Sequence, residues 1–189
     1  EAYAADKDTS GCVGIAQTRW ATHGEPTTTN AHPHISFSGD LAIIHNGIIE
    51  NYAVLKKRLQ EKGIKFVSDT DTEVLVQLID YVKTKKKFDL LTAVRVALRA
   101  VIGAYAIAIL DRNNPNQIIA ARKSSPLVIG IGDGEFFLGS DASPIIEYTD
   151  KVIYLDDKDI AVINKDKELE IVDLNNEKTD HEVKKVEIN

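Results

Sequence analysis

The chain has 189 residues, 43% hydrophobic and 28% charged, enough apolar material for one well-buried domain and too little for two large ones. Its formal net charge of −6 is spread over intermixed acidic and basic residues, so no basic stripe is available for a phosphate backbone and nucleic acid is excluded as a partner. No apolar run approaches the roughly 20 residues of a membrane span, the single cysteine excludes an internal disulfide and no signal-peptide pattern opens the chain, so a cytoplasmic protein with no membrane partner is expected.

The chain opens on Glu1 without an initiator Met, in a polar stretch that reads as the middle of a longer polypeptide. Val13 to Thr18 reads as a strand, with Cys12 beside it as a small, buried, inert thiol. From Arg19 to Pro33, glycine, proline, three successive threonines and Asn30 disfavour both regular structures and predict a long loop. Leu41 to His45 reads as a second strand, with Asn46-Gly47 as a turn signal before Ile48 and Ile49. Tyr52, Leu55 and Leu59 recur at helical spacing between Asn51, which can cap, and Gly63, which can terminate. Ile64 to Val67 reads as a short strand. Thr70 or Asp71 then caps a helix carrying Val74, Leu75, Leu78, Ile79 and Val82 on one side. Leu90, Leu91, Val94, Leu98 and Val101 define another helix, ended by Gly103 ahead of a buried strand from Ala104 to Leu110.

The second half changes character. Short strands are expected at Ile118 to Ala121, Leu127 to Ile131, Phe136 to Leu138, Val152 to Leu155, Ile160 to Ile163 and Leu169 to Leu174, separated by turn signals in the manner of a β-meander. The polar tail 175–189 has too little apolar content to hold a core and reads as a linker. Helices alternating with strands, followed by antiparallel strands, predict an α+β layered fold.

Four of the five histidines, His23, His32, His34 and His45, fall in one stretch, but cysteine pairs and standard zinc spacings are missing. Zinc is therefore the weaker alternative to histidines that hydrogen-bond a long loop. Arg19 and Trp20 sit where a strand runs into that loop; Arg19 could clamp a carboxylate with two hydrogen bonds or simply face solvent. Asn46-Gly47 is a hairpin signal that also offers a side-chain amide beside an unobstructed backbone N–H, the makings of an oxyanion hole. Asp71 could cap its helix or face an ammonium group.

These pieces occur together in order: Thr18-Arg19-Trp20-Ala21-Thr22-His23-Gly24, Asn30-Ala31-His32-Pro33-His34, His45-Asn46-Gly47-Ile48-Ile49-Glu50-Asn51 and Ser68-Asp69-Thr70-Asp71-Thr72-Glu73. The series resembles the class II glutamine amidotransferases, and within them most closely the glutaminase domains of glucosamine-6-phosphate synthases. Related amidophosphoribosyltransferases and asparagine synthetases keep the Asn-Gly and a later acidic motif without the T-R-W-A-T-H-G run. The likeness continues through Lys123-Ser124-Ser125-Pro126-Leu127 and Ser140-Asp141.

The resemblance implies the αββα four-layer sandwich of the N-terminal nucleophile hydrolases, incomplete at its N-terminus, with the amidotransferase domain over 1–174 and a linker over 175–189 toward a sugar-isomerase domain. It places the carboxylate of L-glutamine on Arg19 and its ammonium on Asp71, with Trp20, Thr22 and His23 lining the pocket and Asn46 and Gly47 as the catalytic oxyanion donors. His32 and His45 match motif positions and are expected as supports. The family's nucleophile is a first-position cysteine whose own α-amine is the base, giving a thioester and ammonia that passes to fructose 6-phosphate. That cysteine is expected upstream of Glu1 rather than at Cys12, so the chain alone is expected to be inactive. No metal and no cofactor are implied, and a homo-oligomer is implied for the full-length protein. The alternatives are another acceptor, such as phosphoribosyl pyrophosphate, or a glutamine-binding module that has lost catalysis.

Overall fold

A computed structural model describes residues 10–19 and 23–186. In chain order the elements are β1 (His34–Ile35), β2 (Leu41–Ile49), α1 (Tyr52–Gln60), α2 (Asp71–Lys86), α3 (Leu90–Arg99), β3 (Gly103–Asp111) and β4 (Asn114–Lys123). They continue as β5 (Val128–Ile131), β6 (Phe136–Gly139), β7 (Lys151–Tyr154), β8 (Ile160–Asn164), β9 (Glu170–Val172) and β10 (Lys184–Lys185). One antiparallel sheet has the order β1-β2-β3-β4-β8-β9, and a second has the order β10-β7-β5-β6.

Strand alternation builds the layers. Along β3, Tyr105, Ile107 and Ile109 share a core with Val74, Leu75 and Ile79 of α2 and Val94 and Leu98 of α3. Ala106 turns the other way, packing with Ala120, Ala161 and Ile163 against Leu127, Ile129, Ile153 and Leu155 of the second sheet and its flanks. A third cluster, of Val128, Ala142, Ile145 and Val152, covers the far face of that sheet with the turn segment 142–149. Helix, sheet and sheet are thus stacked in three layers, with that segment on the side where the sandwich has its fourth. The expected α+β layering holds.

The helices form where periodicity and caps agree. The Thr70 hydroxyl accepts from Glu73 N–H at 3.2 Å to start α2, and Asp89 accepts from Thr92 N–H at 2.7 Å to start α3. Asp71 and Glu73 lie in the first turn of α2 and Lys83, Lys85 and Lys86 in its last, matching the helix dipole at both ends. No helix among the described residues is long and apolar enough to cross a membrane.

Several local expectations are overturned. Val13 to Thr18 and Ile64 to Val67 are irregular rather than strands. Their apolar content is real, but Ile64 and Phe66 pack on the helix core, and the Val67 and Ser68 N–H groups are held by the Glu73 carboxylate at 2.9 and 2.7 Å instead of a ladder. Asn46-Gly47 is not a turn, since β2 runs unbroken through it in register with Ala106 and Tyr105 of β3. The glycine serves a close approach instead: at φ +125° a Cβ there would meet the Ala104 carbonyl oxygen at 2.3 Å, and Gly103, also at φ +125°, would meet Ile48 O at 2.1 Å. Asn51 does not cap α1 through its side chain but ties Ala100 O and Ile102 N–H at 2.8 and 3.0 Å. The second half is not one meander, because its hairpins are shared between two sheets. Within the 175–189 tail, Lys184 and Lys185 pair with β7, and His181, largely buried, meets Asp159 at 2.9 Å.

Candidate active site

The site is built on an open strand edge. β1 covers β2 at Ala42 and Ile43, and beyond Ile43 no strand among the described residues pairs with that edge, where His45 and Ile49 meet side chains instead. In an antiparallel pair alternate residues aim their N–H and C=O away from the neighbouring strand. His45, Gly47 and Ile49 do so here: His45 C=O accepts from the Gln17 side-chain amide at 2.9 Å, and Ile49 N–H donates to Asp71 Oδ2 at 2.8 Å. Gly47 lies between them, so its N–H emerges from the same edge. Asn46, exposed, projects its side chain beside it, its Oδ1 2.9 Å from Gln17 Nε2. A cleft of about 240 Å³ opens on this edge, lined by Arg19, His32, Asn46, Gly47, Asp71 and Thr72 among others.

The N-terminus of α2 forms the opposite wall. Asp71 is 3% exposed; one oxygen holds Ile49 and the other lies 3.9 Å from His23 Nδ1, whose ring stands edge-on to Tyr52 at 4.8 Å between centroids. Arg19 donates to the carbonyls of His23, Gly24 and Glu25, which folds the loop around the guanidinium. Asn30 closes the same loop, donating to Glu25 O at 2.9 Å and accepting from Asp69 N–H at 3.0 Å.

Behind the cleft the histidines meet threonine hydroxyls. His34 Nε2 is 2.9 Å from Thr70 Oγ1, while Thr72 Oγ1 bridges His45 Nδ1 at 2.9 Å and His32 Nε2 at 3.0 Å. The network assigns the tautomers. His45 Nε2 faces the Ala104 carbonyl at 3.4 Å and so carries the proton, its Nδ1 accepts from Thr72, and Thr72 accepts from His32 Nε2. Among the described residues, His32 Nδ1 is left as a buried acceptor without a partner. Burial pulls the His32 ring down to about 4, helped by its neighbours His34, His45 and Arg19. Burial also lowers His34 and His45, against the opposing charges of Glu73 and Asp71 respectively. The three rings are neutral near pH 7, so none adds a positive charge beside Asp71. A His and Asp grouping close enough for a metal lies elsewhere, at Asp156, Asp159 and His181.

A family model described as "Glutamine amidotransferase domain" matches residues 18–147, more than half of the chain. The chain belongs to this family. It is 68% identical over 188 residues to a glutamine--fructose-6-phosphate aminotransferase [isomerizing] of Bacteroides thetaiotaomicron, covering 100% of this chain and 31% of the relative. To the protein of the same name from Thermotoga maritima it is 49% identical over 154 residues, 82% of this chain and 25% of that one. The chain spans about a third or less of the curated relatives it matches. Among solved structures, the glutamine phosphoribosylpyrophosphate amidotransferase of B. subtilis superposes with a TM-score of 0.68 at 27% identity, covering 84% of this chain and 34% of that one. The layered fold is that of the class II, N-terminal nucleophile amidotransferases.

Within this amidotransferase fold, Arg19, His23, Asn46, Gly47 and Asp71 come together around one cleft, although they are spread over 53 positions of sequence from Arg19 to Asp71 inclusive. Trp20 and Thr22 fall outside the described residues. Cys12 is exposed rather than buried, in a separate cavity of about 880 Å³ with its Sγ 3.8 Å from Lys165 Nζ. Gln17, Asn30, Thr70 and Thr72 were missed as site residues. The hydrogen bonds that tie them into the site bridge 27 to 40 positions, so no local pattern marks that role, although Thr70 is also the local cap of α2.

Proposed function

We propose that this chain is the glutaminase domain of a glutamine–fructose-6-phosphate aminotransferase. The observation that carries the reading is the open edge of β2, where the Asn46 side chain and Gly47 N–H stand side by side between Arg19 and Asp71. A γ-amide seated there would have its head group between a guanidinium and a carboxylate. Attack on its carbonyl would place the developing oxyanion against two donors fixed in advance by the strand. Asp71, already bonded to Ile49 N–H, keeps its second oxygen for an ammonium group. Arg19, oriented by three loop carbonyls, presents its remaining N–H groups to the carboxylate.

The chemistry is acyl transfer to a cysteine at the first position of the full-length enzyme, with its α-amine as base, followed by hydrolysis of the thioester. Ammonia then passes to a sugar-isomerase domain to convert fructose 6-phosphate to glucosamine 6-phosphate. The 175–189 segment leads toward that domain, and the full-length protein is a homo-oligomer. The sugar acceptor is supported by 68% identity to a named fructose-6-phosphate enzyme, against 27% to a phosphoribosylpyrophosphate enzyme. In the full-length enzyme, glutamine should drive formation of glucosamine 6-phosphate from fructose 6-phosphate. Turnover with phosphoribosyl pyrophosphate in place of the sugar would contradict the acceptor, and no ammonia release from glutamine would contradict the reading itself.

A further inference from the structure

An asparagine can stabilise an oxyanion only with its NH₂ toward the cleft, yet amide oxygen and nitrogen have nearly the same shape, so the partner of the side chain decides its orientation. For Asn46 that partner is Gln17. The Gln17 side-chain nitrogen lies 2.9 Å from the His45 carbonyl oxygen and 2.9 Å from Asn46 Oδ1. A backbone carbonyl can only accept, so the Gln17 atom facing it must be the NH₂. The second hydrogen of that group points at Asn46, which must answer with oxygen. The Asn46 NH₂ is thereby turned away from Gln17 and left free to donate.

We propose that Gln17 is a positioning residue that locks the amide orientation of Asn46 and so keeps its NH₂ available to the oxyanion. The lock needs both acceptors. The His45 carbonyl is aimed at Gln17 because it belongs to the uncovered edge of β2, and His45 is itself held by Thr72 and Ala104 on its buried side. Gln17 lies two residues before Arg19, so one irregular segment presents the head-group cation and orients the oxyanion donor. This explains why the segment around Gln17 is held to β2 by a side chain. A strand pairing on this edge would satisfy the His45 carbonyl and cover the Gly47 N–H. The catalytic consequence rests on the glutaminase reading above.

The test uses the full-length enzyme with Gln17→Glu and Gln17→Ala. Glutamate is nearly isosteric but only accepts when ionised: it repels the His45 carbonyl and draws the Asn46 NH₂ toward itself. Gln17→Glu should lower kcat for glutamine hydrolysis by roughly 10- to 100-fold, short of or equal to loss of an oxyanion donor, with KM little changed and the melting temperature retained. Gln17→Ala removes the lock without imposing the wrong orientation and should lose less, about 3- to 10-fold. A residue that only fills space gives the reverse order, with the truncation worse than the isostere, and that order would overturn the proposal. So would an effect confined to KM. In an Asn46→Ala background Gln17→Glu should cost no further kcat; an additive loss would show that Gln17 acts elsewhere. Full activity in Asn46→Ala alone would instead sink the oxyanion reading, so the two failures are told apart.

Discussion

The two halves of β2 are the same strand under different rules. From Leu41 to Ile43 the free edge is paired with β1, the side chains of Leu41 and Ile43 are buried in the helix-side core, and every feature serves packing. From His45 to Ile49 no strand among the described residues pairs with the same edge, and the His45 carbonyl and Ile49 N–H are taken up by side chains from distant parts of the chain, Gln17 and Asp71. The first half shows how a sheet stabilises itself. The second shows what a sheet edge can offer a candidate site: with no neighbouring strand among the described residues, the N–H of Gly47 is directed into a cleft, on a backbone held on its other side by β3.

If this division is right, substitutions in the two halves should fail in different currencies. Ile43→Ala, at 0% exposure, should cost about 2–5 kcal/mol of stability, read by chemical denaturation, while KM for glutamine in the remaining folded enzyme stays close to the parent value. A changed KM with unchanged stability would erase the distinction. On the open side, Arg19→Ala should cost less stability than Ile43→Ala, through the three loop carbonyls it holds, and raise KM for glutamine by about 10-fold or more, the worth of a charge-assisted hydrogen bond pair. An unchanged KM would mean that its guanidinium only organises the carbonyls of residues 23–25.

A smaller effect comes from pH. The His32 ring titrates near 4 in the folded protein against 6.5 ordinarily, so below 6.5 the unfolded chain binds the proton more readily. Its contribution to stability is therefore fully present above about pH 6.5 and is lost as pH falls from there toward 4. The melting temperature of a His32→Gln variant should drop less than the parent's between pH 7 and pH 4.5. Parallel curves would show that the ring is not held neutral by its burial behind Thr72.

The same contrast explains what could be read from the sequence. The helix α2 was legible because period and cap agree within a few residues, Thr70 with Glu73, and α3 through its apolar period alone, its Asp89 cap on Thr92 N–H coming from the structure. The candidate site residues Arg19, Asn46, Gly47 and Asp71, which the structure brings around one cleft, were singled out through a family's ordered motifs, not through local chemistry, where each had a bland alternative. Asn46-Gly47 misled for a physical reason: the dipeptide that favours a hairpin turn also fits a strand where another backbone passes too close for a Cβ. Ile64 to Val67 misled because an apolar run says that a segment is buried without saying what receives its N–H groups, here the Glu73 carboxylate. Gln17 and Thr72 stayed hidden because their partners are 27 or more positions away and become neighbours only after the sheet and α2 have packed.

The account stands most directly on Asn46, the side chain that the open edge presents beside Gly47. In the full-length enzyme Asn46→Ala should lower kcat for glutamine hydrolysis by about 10² or more with KM for glutamine largely preserved, because the oxyanion exists only after attack. A loss confined to KM, or an unchanged kcat, would contradict the assignment of the open half of β2 as the place where the transition state is held.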